Sequence, residues 1–315
     1  MKPLLTPRSQ PVPWSIRTSS GSVVTGSVVA PGAECGRRRV LAGIGSLGLV
    51  GLFANCKKRS AESAEKAKSD VAFLARAVAS DVKEVRSGLP VGAGHMQEFF
   101  SEGKLDDAQA ARAALERARG KVQDLRVAKS TFFAAVDPNG KVLRTDQEQD
   151  SLAGKNLFTS FPELRGAVSG YVETRGAMAE ASEIRGRPDA QWVAGCPVRV
   201  GDATKGVYAT GWSFSAYAYR LENQLRSTLR SQLKDREKEP LIYVFVIVAG
   251  DVYAAPVSPD VNVRAVKERR LLESGTAAQP ATLELEIEGR EFGLAFLRTE
   301  PLGKDVGVAV LRSET

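Results

Sequence analysis

Apolar residues at Val71, Leu74, Val78, Val82 and Val85, spaced by three and four, place one stripe on a helix spanning residues 60–87. Gly88 and Pro90 predict where it stops. A second helix is expected from a cap at Asp106 or Asp107, with Ala111, Leu115, Ala118, Val122 and Leu125 in the same spacing. Both stripes are narrow, which suits a helix lying along a partner helix or a sheet edge; neither sustains enough heptads for a coiled coil. The period then changes. STFFAAV (130–136) reads as a strand, Asp137-Pro138-Asn139-Gly140 as a turn and KVLRT (141–145) as its return. Further strands are expected at 171–175, 191–200 and 206–214, the last two joined by a loop at 201–205. Then the layout recurs: LIYVFVIV (241–248), a turn at Ala249-Gly250-Asp251, a return at 252–255, and strands at 282–288, 291–298 and 306–312. Trp192 precedes Gly206 by 14 residues and Phe292 precedes Gly307 by 15, so both copies close on an aromatic-led strand, a polar loop and a Gly-led strand. Between the copies Tyr217, Leu221, Leu225, Leu229 and Leu233 recur every four residues, a connecting helix over 215–239 ended by Pro240.

With 315 residues, 43% of them hydrophobic, the chain can bury two ordinary cores, and the expected fold class is α+β. Most of the formal charge of +7 lies in residues 1–56, where Lys2, Arg8, Arg17, Arg37, Arg38 and Arg39 face one acid, Glu34. The body is nearly neutral. Nucleic-acid binding needs clustered cations against phosphates, so no nucleic-acid partner is expected. His95 is the single histidine, in a loop-like stretch, and Cys35, Cys56 and Cys196 are too far apart for a zinc or redox pair, so neither metal nor cofactor is expected. Cys196 reads as a small buried apolar residue. No Ser/His/Asp, Cys/His or paired-carboxylate spacing stands out, and the chain is read as a non-enzyme.

Residues 1–36, rich in Pro, Ser, Thr, Gly and Val without period, read as a disordered extension. Next come Arg37-Arg38-Arg39, an uncharged run at 40–55, and Cys56 followed by Lys57, Lys58 and Arg59. Sixteen residues of helix rise about 24 Å against a hydrocarbon core of about 30 Å, so the run is short for a membrane span. A basic start, an apolar run and a small-residue exit make segment 37–56 a signal peptide or membrane anchor. Arg37 and Arg38, followed by Arg39-Val40-Leu41, resemble a twin-arginine export motif. Phe53-Ala54-Asn55-Cys56 resembles a lipoprotein signal box, whose cysteine becomes lipidated; Phe53 and Asn55 stand where that box has Leu and a small residue. That resemblance implies lipidation of Cys56 and a tethered place in the periplasm. An uncleaved N-terminal anchor is the second reading and a cytoplasmic protein the third; a translation start near residue 28 would give a leader of ordinary length.

The body resembles the Cache family, the PAS-like extracytoplasmic sensor domains of bacterial chemoreceptors, histidine kinases and cyclases. The residues that carry the resemblance are FFAAVDPNGKVLRTD (132–146), Gly154, WVAGCPV (192–198) and GVYATGW (206–212), then VFVIVAGDVY (244–253) and VGVAVLRS (306–313). It implies two PAS-like antiparallel sheets with flanking helices, a double-Cache-like arrangement, and a small-ligand pocket between sheet and overlying loops. It divides the chain into helical packing segments at 57–129, a first unit at 130–214, a connecting helix at 215–240 and a second unit at 241–315. The Tyr, Arg, Trp and Asp signature of the amino-acid-binding members finds no clear placement. No transmitter segment follows the second unit, so a signal would leave through a separate transmitter protein.

The first copy carries the longer insertion, 55 residues from Asp137 to Trp192 against 41 from Asp251 to Phe292, and offers more loop to cover a pocket. Tyr171, Arg175, Trp192, Tyr208 and Trp212 are the candidate ligand-binding residues, aromatic walls plus one cation suited to a small anionic or zwitterionic ligand. The expected function is a membrane-tethered extracytoplasmic ligand-sensing protein. The alternative is a scaffold lipoprotein that docks a partner and binds no small molecule. Mass spectrometry of the membrane fraction tests the tether: a lipid mass on Cys56 is expected, and an unmodified Cys56 behind an intact leader would exclude it.

Overall fold

An apolar stripe with an 11-residue repeat organises the molecule. Ala67, Val71 and Leu74 recur as Val78, Val82 and Val85, then as Leu89, Ala93 and Met96, and none is more than 2% exposed. Eleven residues make three turns of about 3.67 residues, close enough to the helical period for the stripe to run nearly straight. The computed structural model describes residues 50–103, 105–128, 130–178, 183–184, 187–234 and 237–314, with side chains from 59 onward except 183–188. The expectations for residues 1–36, for Arg37 and Arg38, for the apolar run up to 49 and for the side chain of Cys56 lie outside the described residues. Helix α1 (Val50–His95) carries the stripe through 46 residues, a rise of about 69 Å. Among the described residues no helix is long and apolar enough to cross a membrane.

The expected stop at Gly88 and Pro90 does not occur; α1 continues to His95, which is exposed. A side chain on Gly88 would overlap Leu125, and one on Gly92 would overlap Leu125 and Tyr208. These glycines therefore serve close approach rather than termination. Pro90 leaves one helical hydrogen bond unmade near the end, where Leu89, Ala93 and Met96 hold the last turns by packing. After α2 (Gln97–Ser101), Asp107 caps α3 (Ala108–Lys121) as expected, its carboxylate accepting from the Gln109 and Ala110 amides. The second helix then breaks at the extended Val122, and Leu125 sits on a separate turn, α4 (Gln123–Val127).

The first sheet comprises β1 (Phe132–Val136), β2 (Val142–Thr145), β3 (Val172–Ala177), β6 (Ala190–Val200) and β7 (Ala203–Ser213), in the antiparallel order β2-β1-β7-β6-β3. Helix α5 (Leu157–Ser160) and a 3-10 turn (Pro162–Val168) precede β3, and the short ribbon β4 (Glu183–Ile184) and β5 (Arg187–Pro188) follows it. The β6–β7 loop is tighter than expected: Ala203 and Thr204 already pair with Val200 and Arg199 across a bulge. Helix α6 (Phe214–Gln232) ends at Leu233, short of the expected 239. A strict four-residue spacing slips by about 40° per step, so Tyr217, Leu221 and Leu225 are buried while Leu229 is only partly so.

The second sheet comprises β8 (Leu241–Val248), β9 (Asp251–Ala254), β10 (Ala281–Ile287), β11 (Arg290–Arg298) and β12 (Val306–Ser313), in the order β10-β11-β12-β8-β9. Numbered within each half, both sheets read 2-1-5-4-3 from one edge. Helices α7 (Asp260–Glu268) and α8 (Leu271–Ser274) between β9 and β10 were not foreseen. The start signal Ser258-Pro259-Asp260 marks them, with Val266 and Leu271 as their buried apolar residues. Glu222 on α6 accepts the Val244 amide where β8 outruns its neighbour β9, satisfying a backbone donor the ladder leaves open.

Each sheet is covered on both faces. Phe133, Trp192, Tyr208 and Trp212 of the first sheet and Val244, Val246, Val308 and Val310 of the second share one core with the α1 stripe. On the outer faces Phe132, Ala134 and Val193 pack beneath Phe158, Phe161 and Leu164, while Phe245, Ile247 and Phe296 pack with Val266 and Leu271. Near its start α1 lies so close to β11 that a Cβ on Gly293 would overlap the Ala64 backbone. There Arg312 on β12 bonds Asp70 at 2.7 Å, both side chains 7% exposed, and its Nε donates to Glu314. In urea unfolding, Leu74→Ala should cost about 3 to 5 kcal/mol through the cavity it leaves, and Gly293→Ala about 3 kcal/mol through displacement of α1. Losses below about 1 kcal/mol would show that the stripe does not hold the sheets.

Candidate functional site

Strand β3 is an edge of the first sheet and β9 an edge of the second, and a cleft of about 520 Å³ lies between them. Sheet edges leave backbone donors and acceptors unpaired, and charged side chains line this one. From β3 come Glu173, Thr174 and Arg175, from the 3-10 turn Glu163, from β9 Asp251 and Tyr253, and from the turn before β12 Asp305. Phe214 and Tyr253, with ring centroids 5.5 Å apart, add an aromatic wall.

The charges are paired unevenly. Glu173 accepts from the Arg86 guanidinium and from the Tyr171 hydroxyl, the latter at 3.0 Å, and Arg86 also donates to the Pro301 carbonyl at 2.8 Å. Arg86 belongs to α1, Glu173 to the first sheet, and Pro301 to the turn entering β12, so one guanidinium ties the helix to both halves. The hydrogen bond to Glu173 holds Arg86 above the ordinary arginine value. Asp251 pairs with Lys267 at 3.1 Å, and Thr174 donates to Glu163 at 3.1 Å. Arg175 reaches Asp305 through Nη2 at 2.8 Å, while its Nη1, also shut off from solvent, has no hydrogen-bond partner among the described residues. The Arg175–Asp305 pair is 30% and 47% exposed, so it contributes about 1 kcal/mol or less and can exchange for a ligand. The exchangeable Arg175 pair and the aromatic wall suit a ligand carboxylate, and the surplus carboxylates of the lining favour one that also carries an ammonium group.

Of the five residues singled out from sequence, Arg175 lines this cleft and Tyr171 stands behind it, holding Glu173. Trp192, Tyr208 and Trp212 lie elsewhere. They share one face of the sheet, which α1 and α6 cover, so they are core residues at 2% exposure or less. Trp192 stacks on its cross-strand neighbour Trp212 at 4.3 Å and Trp212 on Tyr217 at 4.8 Å, and the Tyr217 hydroxyl donates to Asp81 on α1 at 2.7 Å. Tyr208 stacks on Phe133 at 5.8 Å. Cys196 is buried, and burial pushes its thiol up while Arg199 opposes the shift. The residues that sequence reading did not assign to a site, Glu163, Glu173, Asp251 and Asp305, carry no local signal; two sheet edges bring them together. Among the described residues no group of three or more His, Cys, Asp or Glu side chains is placed to hold a metal ion.

No family model and no curated protein matches the chain. Solved structures do. An extracellular ligand-binding receptor from Desulfohalobium retbaense is 12% identical with a TM-score of 0.47, over 79% of this chain; the chain spans 40% of that receptor's length. A domain assigned to a sensory box/GGDEF family protein of Vibrio parahaemolyticus is 15% identical with a TM-score of 0.48, covering 82% of this chain and 98% of that one. The sensor domain of the V. cholerae histidine kinase DctB is 13% identical with a TM-score of 0.43, covering 80% and 96%.

Burial pushes the phenols of Tyr208 and Tyr217 upward, and the nearby carboxylates Asp146 and Asp81 push in the same direction. An unfolded phenol ionises near pH 10, so below that pH the two tyrosines leave stability unchanged. Above it the unfolded chain releases protons that the native state retains, and stability should fall by up to about 2.7 kcal/mol per pH unit from this pair. Denaturant titrations between about pH 9 and pH 11 check this, and Tyr217→Phe should lower the slope by up to about 1.4 kcal/mol per pH unit. A slope indifferent to the substitution would place the ionising groups elsewhere.

Proposed function

We propose that the chain is a membrane-tethered, extracytoplasmic ligand-sensing protein without catalytic activity, which binds a small anionic or zwitterionic molecule in the cleft between its sheets. The observation that carries this reading is the position of Arg86. It sits on α1 yet holds both Glu173 at the cleft and the Pro301 carbonyl of the second half. A carboxylate taken up by Arg175 loosens the Asp305 pair and shifts β3 against β12. Arg86 passes that shift to the helix. Helix α1 leads back to residues 50–55, the end of the apolar run read as the tether, and a separate transmitter protein would read its displacement there. Coupling requires the ligand to prefer one arrangement of these pairs over another.

Thermal shift against free amino acids, dicarboxylates and short-chain carboxylates tests the reading. A ligand at about 100 times its Kd adds about 2.7 kcal/mol, or about 5 to 10 °C at this size. Arg175→Gln should abolish the shift while changing the ligand-free midpoint little, because the pair it breaks is partly exposed. Undiminished stabilisation of that variant would put the ligand outside the cleft. Silence across the panel would favour the scaffold reading instead.

A further inference from the structure

Among the described residues, three of the four edges of the five-stranded sheets face other parts of the chain. β3 and β9 line the cleft from its two sides. β2 is covered by the segment that follows it, where the Val142 amide donates to the Lys155 carbonyl and the Val142 carbonyl accepts from the Gly154 amide. The fourth edge is β10, a strand of seven residues.

Its open side can be assigned residue by residue. Glu288 and Gly289 join β10 to β11 with φ of 50° and 76°, a two-residue hairpin turn whose flanking residues, Ile287 and Arg290, bond each other through both backbone groups. Bonded and unbonded pairs alternate along an antiparallel ladder. Leu285, Leu283 and Ala281 therefore also bond β11, while Glu286, Glu284 and Thr282 turn their amides and carbonyls outward. None of these outward groups has a backbone partner among the described residues. Such a row is a template for one more strand.

The side chains specify the guest. Thr282, Glu284 and Glu286 share one face and are exposed, and on the other face Leu283 is 40% exposed beside the buried Leu285 and Ile287. Glu286 stands directly opposite Glu291 of β11, a like-charge pair that weakens the ladder. Among the described residues no basic side chain pairs with Glu284, Glu286, Glu288 or Glu291; Glu284 accepts from the Ser60 hydroxyl of α1. Antiparallel pairing with a second copy about Glu284 or Glu286 would set carboxylate against carboxylate, so the acids disfavour self-association through this edge.

We propose that β10 is a docking edge, where an extended segment of a partner protein with Lys or Arg at alternate positions adds as a sixth strand. The cations meet Glu284 and Glu286, and the apolar side chains between them cover Leu283. Ser60 lies on the same face as those carboxylates, so the guest strand runs beside the end of α1 that leads to the tether. The proposal rests on the sensing reading only in identifying this partner with the transmitter, because β10 and the cleft strand β9 are opposite edges of one sheet.

Fluorescence anisotropy of a labelled TKVKVKT peptide titrated with the full chain, free of small ligands, tests the edge independently of the cleft. Saturable binding is expected, with none of TEVEVET and at least about tenfold weaker binding of KKKTVVT, which has the same composition without the alternation. Glu284→Pro removes the central outward donor at a position where an edge strand tolerates proline, and should abolish binding with the far-UV circular dichroism unchanged. Glu284→Lys with Glu286→Lys alters exposed side chains alone and should transfer binding to TEVEVET, which decides the matter should the proline variant misfold. No binding of TKVKVKT, equal binding of KKKTVVT, undiminished binding by the folded proline variant or by the double lysine variant, or a dimer of the unmodified chain that Glu284→Pro dissolves would each overturn the proposal.

Discussion

Everything else in this molecule depends on one helix stripe packed beneath two sheets at once. Nine residues from Ala67 to Met96 are shielded from water because valines of the second sheet and aromatics of the first close over them. A heptad stripe would drift around the helix in the opposite sense and more per residue; the 11-residue repeat keeps one face presented along about 44 Å. Neither sheet could bury its inner face without this helix. The two halves are for that reason parts of one compact unit with a single inner core.

The polar contacts divide by burial into fixed and exchangeable ones. Asp70 and Arg312 are almost wholly shielded, so removing either leaves a charge in low dielectric and costs several kcal/mol. Burial raises the Asp70 carboxyl, an effect that Arg312 opposes, and the pair holds the start of α1 against β12. Arg175 and Asp305 face water, and the same arithmetic makes their bond weak. A ligand can therefore rearrange the cleft without loosening the anchor point of the helix. The aromatic ladder Trp192, Trp212 and Tyr217 belongs with the fixed contacts, since it ends on Asp81 of α1.

The shared strand order lets each half be judged by the other. Phe158 packs against the buried Gly140 of the first half, whereas Gly250 in the equivalent turn of the second is exposed. The outer segments rather than the sheets thus make the difference between the halves, although both outer faces are packed core.

Periodicity alone determined the elements with a repeat of their own. The stripe of α1, the cap at Asp107, the hairpins around Asp137 and Ala249 and most strand positions were readable, because side-chain alternation and turn chemistry act over a few residues. Which face α1 would cover, that Gly88 and Gly92 make room for Leu125 and Tyr208, and that Arg175 would meet Asp305 were decided only by tertiary structure. Those contacts join residues far apart in the chain. No local pattern records them, since the free energy that selects them appears only when distant surfaces leave water together.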